Sequence, residues 1–312
     1  MFIVNFKKKN FLNFFLKLIV AITIFYFVLK KIDINQVLEI FSLSLEIILV
    51  CTIISLILFF FSSWRLSQLY LGKIDFKIFF WLKLHGYASM LNLFIPGKMG
   101  DLLKYFLIKK KDKKYPKSYL IGMFVVERSI DLLIIICAFF LFLGIVNNNI
   151  FDFIIILLIF FFFIYFLRQK IPNRIKGKKI NCFKNLQVKL FRFIHHFNLY
   201  KKKLFFNKKI IFILIITIVF WLLSFYQINI LINFFNEKLN FFDNSLILVQ
   251  IILISLIPIS ISGLGVREFL FIFLFGPLIG NNEAFVISIY FYLLRYLFPG
   301  ILGLIISVMS KN

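Results

Sequence analysis

Apolar runs of roughly 20 residues, the length a helix needs to cross a bilayer, recur along this chain with short polar interruptions between them. They predict an all-α polytopic membrane protein with six spanning helices at Phe11–Leu29, Leu45–Trp64, Ser118–Val146, Phe151–Leu167, Ile210–Ile232 and Ala284–Met309. Two further apolar segments, 79–108 and 245–280, are broken by helix-disrupting residues. The first break is Ile95-Pro96-Gly97-Lys98-Met99-Gly100-Asp101, and the second contains Pro258, Gly263 and Gly265. Beyond the first break, Leu102–Ile108 supplies only about 10 Å of helix and then meets a lysine run. That arm is too short to cross, so 79–108 is expected to be a re-entrant hairpin that enters and leaves on one side. The acidic Glu283 after the second break predicts a hairpin entered from the opposite face. Two spans, a hairpin and a span therefore occur twice, and three crossings per unit invert the second relative to the first. The expected organisation is one membrane domain, 1–312, built as an inverted repeat of 1–146 and 147–309.

Composition agrees with lipid as the solvent: of 312 residues 62% are hydrophobic, and the mean hydropathy is +0.98. A formal charge of +24 in a soluble protein would suggest nucleic acid, but here the charges sit between apolar runs, so no nucleic-acid partner is expected. Sorted by side, nearly all Lys and Arg fall on one face, leaving only Lys30, Lys31 and Lys238 on the other. Positive residues mark the cytoplasmic side. The chain is therefore expected in the plasma (inner) membrane with both termini cytoplasmic. Lys7, Lys8 and Lys9 precede an apolar stretch with no small-x-small cleavage site, which predicts an uncleaved first span. The stretch 168–209 is dense in Lys and Arg and carries no acid. It is expected to be a basic cytoplasmic loop with an interfacial amphipathic helix drawn to anionic headgroups.

Ionisable groups inside the bilayer carry the candidate chemistry, because each costs at least about 2.5 kcal/mol to insert and so should face a partner or water. Glu127, Arg128 and Asp131 lie roughly 14–20 Å from the cytoplasmic end of their span, and Arg295 lies about as deep in the last one. Glu127 and Asp131 share a face at i, i+4, and Arg128 and Asp131 can pair at i, i+3. Either a structural ion-pair network or a substrate or proton path fits these residues. At both breaks a half-helix begins near the midplane with Asp101 or Glu268 in its first turn and Lys98 or Arg267 beside it. Such helix starts suit phosphate. Trp64 and Arg65 are expected as an interface anchor, with Arg65 also a headgroup contact. His85 reads as a packed or hydrogen-bonded histidine. Cys51, Cys137 and Cys182 have no metal or disulfide spacing, and His195-His196 has no third ligand nearby, so no metal and no cofactor are expected. No nucleophile elbow, His-Glu-x-x-His or P-loop occurs, so no catalytic residue is assigned.

Five stretches in order resemble one family. SSWRLSQL at Ser62–Leu69, LNLFIPGKMGDLLKYFLIKK at Leu91–Lys110, VVERSIDLL at Val125–Leu133, IPISISGLGVREFLF at Ile257–Phe271 and YLLRYLFPGILG at Tyr292–Gly303 are similar to the lysylphosphatidylglycerol synthase transmembrane-region (flippase-like) family. The resemblance implies a lipid translocase, or an accessory to lipid and glycolipid synthesis. It places a Pro-Gly-x-x-Gly-Asp motif on Pro96, Gly97, Gly100 and Asp101, a Glu-Arg pair on Glu127 and Arg128, and a second motif on Pro258, Gly263, Gly265 and Glu268. The family's late arginine falls on Arg295. Lys104 stands where the family commonly has Arg, keeping charge but losing the planar fork. Without the soluble aminoacyl-transfer domain, lysyl transfer is not expected. Three readings follow: a flippase for an anionic phospholipid or a polyprenyl-phosphate-linked sugar, a non-catalytic membrane partner of a lipid-modifying enzyme or glycosyltransferase docking through 168–209, and an embedded transferase with Glu127, Asp131 or Glu268 as base.

Overall fold

The computed structural model describes residues 19, 22–40, 45–71, 76–93, 95, 100–114, 116–156, 158–159, 194–200, 202–204, 209–236, 238–257 and 263–310. Among them the regular elements are helical. In chain order they are α1 (Ile34–Ile40), α2 (Leu45–Leu69), α3 (Ile78–Asn92), α4 (Asp101–Lys111), α5 (Lys117–Asn147), α6 (Lys209–Phe235), α7 (Phe241–Ser255), α8 (Val266–Ile279), α9 (Asn281–Tyr292), a π-helical turn (Leu293–Leu297) and α10 (Phe298–Met309). Residues 22–29, 150–156 and 194–200 are helical as well.

Four helical stretches among the described residues are long and apolar enough to cross a membrane: Glu46–Leu69 of α2, α5, α6 and the continuous run Asn281–Met309. The other two expected spans, Phe11–Leu29 and Phe151–Leu167, fall largely outside the described residues. The two broken segments are interrupted where the Pro/Gly pattern lies. α3 and α4 have 15 and 11 residues, and α7 and α8 have 15 and 14. At 1.5 Å per residue these helices measure about 16–23 Å, short of the roughly 30 Å hydrocarbon thickness.

Local chemistry explains several boundaries. α5 ends on Asn148 in the left-handed conformation (φ 50°), with its N–H returning to the Gly144 carbonyl. α8 starts from Gly265 at φ 84°, two residues after Gly263 at φ 78°, a backbone path that side-chain-bearing residues rarely take. The π turn around Arg295 has a cause in Pro299, which has no N–H to give the Arg295 carbonyl. One residue earlier, the Phe298 N–H reaches back to Leu293.

The described chain forms two compact units, each assembled from both halves of the sequence. The first comprises Met1–Ser55, Ser89–Gly100 and Phe225–Pro299. Within it, Gln227 on α6 donates to the Cys51 carbonyl (2.7 Å) and the Ser55 hydroxyl (2.6 Å) of α2. α9 is tied to α1 through Asn282, which donates to Gln36 at 2.6 Å and accepts the Asp33 N–H at 3.1 Å. The second unit comprises Leu56–Ala88, Asp101–Ser224 and Gly300–Asn312. Here helix 194–200, part of the expected basic loop, buries Phe197 and Tyr200. The Tyr200 hydroxyl donates to the Leu69 carbonyl at 2.9 Å, and Tyr200 packs edge-on to Tyr119 of α5. Phe197 and Tyr200 thus pack on protein, while Leu199 of the same helix stays exposed.

In the second unit α3 and α10 cross at Gly86 and Gly303, and the Tyr87 and Ser307 hydroxyls hydrogen-bond beside the crossing. A Cβ on Gly303 would lie 2.4 Å from the Gly86 Cα, a backbone atom that cannot swing aside. Gly303→Leu is therefore expected to destabilise by at least about 1–3 kcal/mol, the range for overpacking. Thermal unfolding in detergent reads this directly, and an unchanged midpoint would mean that the two helices do not meet there.

Candidate functional site

In the second unit the deep charges converge. α2 supplies Arg65, α4 supplies Asp101 and Lys104, and α5 supplies Glu127, Arg128 and Asp131. α5 sets the frame: positions 127, 128 and 131 project toward the same neighbours because residues three and four apart share a helix face. Arg65 grips Asp131 with both guanidinium nitrogens (2.5 and 3.3 Å) and reaches Glu127 at 3.1 Å. Lys104 pairs with Asp101 at 2.8 Å and lies 3.9 Å from Glu127. Arg128 spans three acids: Asp101 and Glu127, both at 3.2 Å, and Asp131 at 3.3 Å. The Tyr105 hydroxyl donates to Glu127, and Thr217 of α6 accepts from Arg65 at 3.5 Å. His85, which the sequence suggested as a packing residue, lies against Phe59 with ring centroids 5.5 Å apart.

Three cations face three carboxylates, so the cluster has no net charge. Five of the six side chains are almost fully enclosed, whereas the Arg128 side chain is 31% exposed. In a low-dielectric setting such a network is stable only while complete, since removing one member strands an opposite charge. Arg128 is the member with surface to offer an incoming group.

The first unit holds a smaller site at the start of α8. Glu268 accepts the Gly265 N–H through Oε2 (2.7 Å) and the Arg267 guanidinium through Oε1 (2.5 Å). The helix start expected to meet phosphate is therefore already answered by a carboxylate of its own first turn. Arg267 is buried with its guanidinium over the Tyr292 ring at 4.7 Å and near Phe291 at 5.7 Å, a cation–π seat. This pair is also neutral in sum. The first turn of α4 also carries an acid, Asp101, which pairs with the Lys104 and Arg128 side chains.

Of the residues singled out from sequence, the structure joins Asp101, Lys104, Glu127, Arg128 and Asp131 in one network and Gly265, Arg267 and Glu268 in another. Gly263 and Gly100 stand in the turns ahead of α8 and α4, and Arg295 stands in the π turn of the first unit. Pro96, Gly97, Lys98 and Pro258 lie outside the described residues. Arg65 needs a correction. It is not a side chain reaching for headgroups but a buried partner of Asp131 and Glu127. The span expected to stop at Trp64 continues as helix to Leu69, which carries Arg65 inward by more than one turn. Trp64 itself packs edge-on against Phe212 of α6, centroids 5.0 Å apart. Tyr105 and Thr217 were not anticipated; an uncharged hydroxyl in an apolar run gives no pattern to detect.

Among the described residues no group of three or more His, Cys, Asp or Glu is placed to hold a metal ion. The arrangement suits exchange of ionic partners by the arginines. The family model described as lysylphosphatidylglycerol synthase TM region matches residues 14–303 of the chain. No curated protein and no solved structure matches it. The apolar helices and this match agree on a multi-pass membrane protein.

Proposed function

Because the chain belongs to the lysylphosphatidylglycerol synthase transmembrane-region family, which suggests a membrane lipid-related role, we propose that it is a flippase-like translocase for the headgroup of an anionic phospholipid or a polyprenyl-phosphate-linked sugar. The observation that supports this most is the neutral network with a part-exposed arginine. A phosphate approaching Arg128 competes with Asp101 for the same guanidinium fork. Exchange of one anion for another leaves the arginine satisfied, and the excess negative charge that the headgroup brings to the neutral cluster favours its release again. The released Asp101 keeps Lys104 as partner at 2.8 Å. The acyl tails stay in lipid throughout.

On this reading the four short helices form two re-entrant hairpins, α3–α4 and α7–α8, six spans surround them, and the two repeats are inverted, an architecture used for alternating access. The lysine-rich face and both termini lie in the cytoplasm, at the plasma membrane.

Purified protein in liposomes containing a fluorescent phosphatidylglycerol tests the proposal, with translocation read by quenching of the outer leaflet. Wild type is expected to exceed protein-free vesicles. Arg128→Gln should slow translocation at least about tenfold, the kinetic equivalent of losing charge-assisted bonds of about 1.5–3 kcal/mol. Its unfolding midpoint should fall as well, since two cations then face three carboxylates, so the rates are compared at equal amounts of folded protein. Wild type no faster than empty vesicles would instead favour the reading as a non-catalytic partner docking through 168–209, and Arg128→Gln at the wild-type rate would remove Arg128 from the path.

A further inference from the structure

Asp101 meets Arg128, Tyr105 meets Phe124, and Lys109 and Lys117 line one groove, so α4 and α5 run antiparallel with that groove between them. It holds about 230 Å³ of space, part of it open to the surroundings. Tyr105 and Phe106 of α4 and Leu120 and Ile121 of α5 form its walls, and Leu102 lies at the deep end, about 10 Å along α4 from Lys109. Tyr105 and Leu120 are each 2% exposed, whereas Phe106 is 48% exposed, so the floor is closed by protein and one apolar wall faces outward. At the mouth stand Lys109, in the last turn of α4, and Lys117, the first residue of α5. The turn between the helices fixes that mouth. Asp112 is buried there, accepting the Tyr70 hydroxyl at 2.5 Å and the Lys114 N–H at 3.0 Å, and Lys109 donates to the Lys113 carbonyl. Asp112 is the only acid between Asp101 and Glu127, a stretch that carries seven lysines.

An apolar groove with two ammonium groups at one end selects its occupant by both halves. A free phosphate would answer the lysines and leave the Phe106, Leu120 and Ile121 walls uncovered. A zwitterionic lipid would cover the walls but bring a cation of its own to the lysines. An anionic phospholipid satisfies both, and basic pockets between membrane helices hold such headgroups in this way. We propose that the groove between α4 and α5 binds an anionic phospholipid of the leaflet on the lysine-rich side, its phosphate on Lys109 and Lys117 and the head end of an acyl chain along Phe106, Leu120 and Ile121. The site is separate from Arg128 and does not rest on the translocation reading. Tyr105 links the two, since it walls the groove while its hydroxyl donates to Glu127. A lipid seated here therefore braces the charge network from outside.

Thermal unfolding of the purified protein in uncharged detergent, titrated with phosphatidylglycerol, phosphatidylcholine or inorganic phosphate, tests it. Phosphatidylglycerol should raise the wild-type midpoint at least about 3 °C above either of the others, and the rise should saturate. Lys109→Gln/Lys117→Gln should shift half-saturation to about thirtyfold more phosphatidylglycerol, the equivalent of roughly 1 kcal/mol per lysine. Lys113→Gln/Lys114→Gln removes the same charge from the same run but away from the groove, and should keep the wild-type response. Ile121→Trp fills the groove with every charge in place, and should lose the response. Arg128→Gln should keep it, which separates this site from the translocation path. The proposal is overturned if phosphatidylcholine or phosphate stabilises as well as phosphatidylglycerol does, if the Lys113/Lys114 pair matters as much as the Lys109/Lys117 pair, or if Ile121→Trp responds like wild type.

Discussion

Arg65→Ala is expected to cost about 3–5 kcal/mol and to leave little folded protein in the membrane, the most damaging single change in the second unit. The reason lies in what it strands. Asp131 loses both of its short contacts to Arg65, at 2.5 and 3.3 Å, and Glu127 loses one at 3.1 Å. Arg128 is already shared among three acids and cannot cover both. Arg65→Lys should recover only part of the loss, since an ammonium cannot hold the two Asp131 oxygens and Glu127 in one plane. The double variant Arg65→Leu/Asp131→Leu removes a cation and an anion together and should lie much closer to wild type than Arg65→Ala does. Fluorescence-detected size exclusion and unfolding midpoints in detergent report all three. If Arg65→Ala unfolds near the wild-type midpoint, Arg65 is not enclosed as described, and the interface role expected from sequence is restored.

That substitution also shows where sequence reading stops. Helical class, the membrane setting, and breaks between α3 and α4 and between α7 and α8 were all legible, because apolar run length and Pro/Gly placement act locally. The pairing of Arg128 with Asp131 was legible for the same reason: i, i+3 spacing is a property of one helix. Arg65 was misjudged because the cue was positional. A Trp-Arg pair after an apolar run usually marks the water boundary, and nothing local says that α2 continues to Leu69 or that two acids await 62 and 66 residues later. Both half-helix starts were legible, whereas the closing of Glu268 on the Gly265 N–H at α8 was not, since it depends on the backbone path set by Gly263 and Gly265. The hydrogen bonds from Asn244 on α7 to Asn229 and Asn233 on α6 gave no signal at all. Asn is common in this chain, and the meeting of Asn229 and Asn233 with Asn244 appears only once α6 and α7 lie side by side.

Glu268→Ala should be nearly as costly in the first unit, for two separable reasons. The carboxylate is the ionic partner of Arg267, whose side chain is only 4% exposed, so its loss leaves a buried guanidinium that rests, among the described residues, on the Tyr292 and Phe291 rings. Stranding a charge of this kind costs about 3–5 kcal/mol, part of it offset by the cation–π contacts. The carboxylate also accepts the Gly265 N–H at the start of α8, and losing that cap adds about 1 kcal/mol. Glu268→Gln separates the two: its carbonyl oxygen can still take the Gly265 N–H while the negative charge is gone, so it should retain the cap and lose the ion pair. Arg267→Met placed on Glu268→Gln removes the stranded cation and should recover most of the deficit, as the Met side chain refills the space over Tyr292. Unfolding midpoints of wild type, Glu268→Gln, Arg267→Met and the double variant form the cycle, with Glu268→Ala read beside them. A double variant no more stable than Glu268→Gln would mean that Arg267 was never the source of the cost, and that the cap alone holds α8 in place.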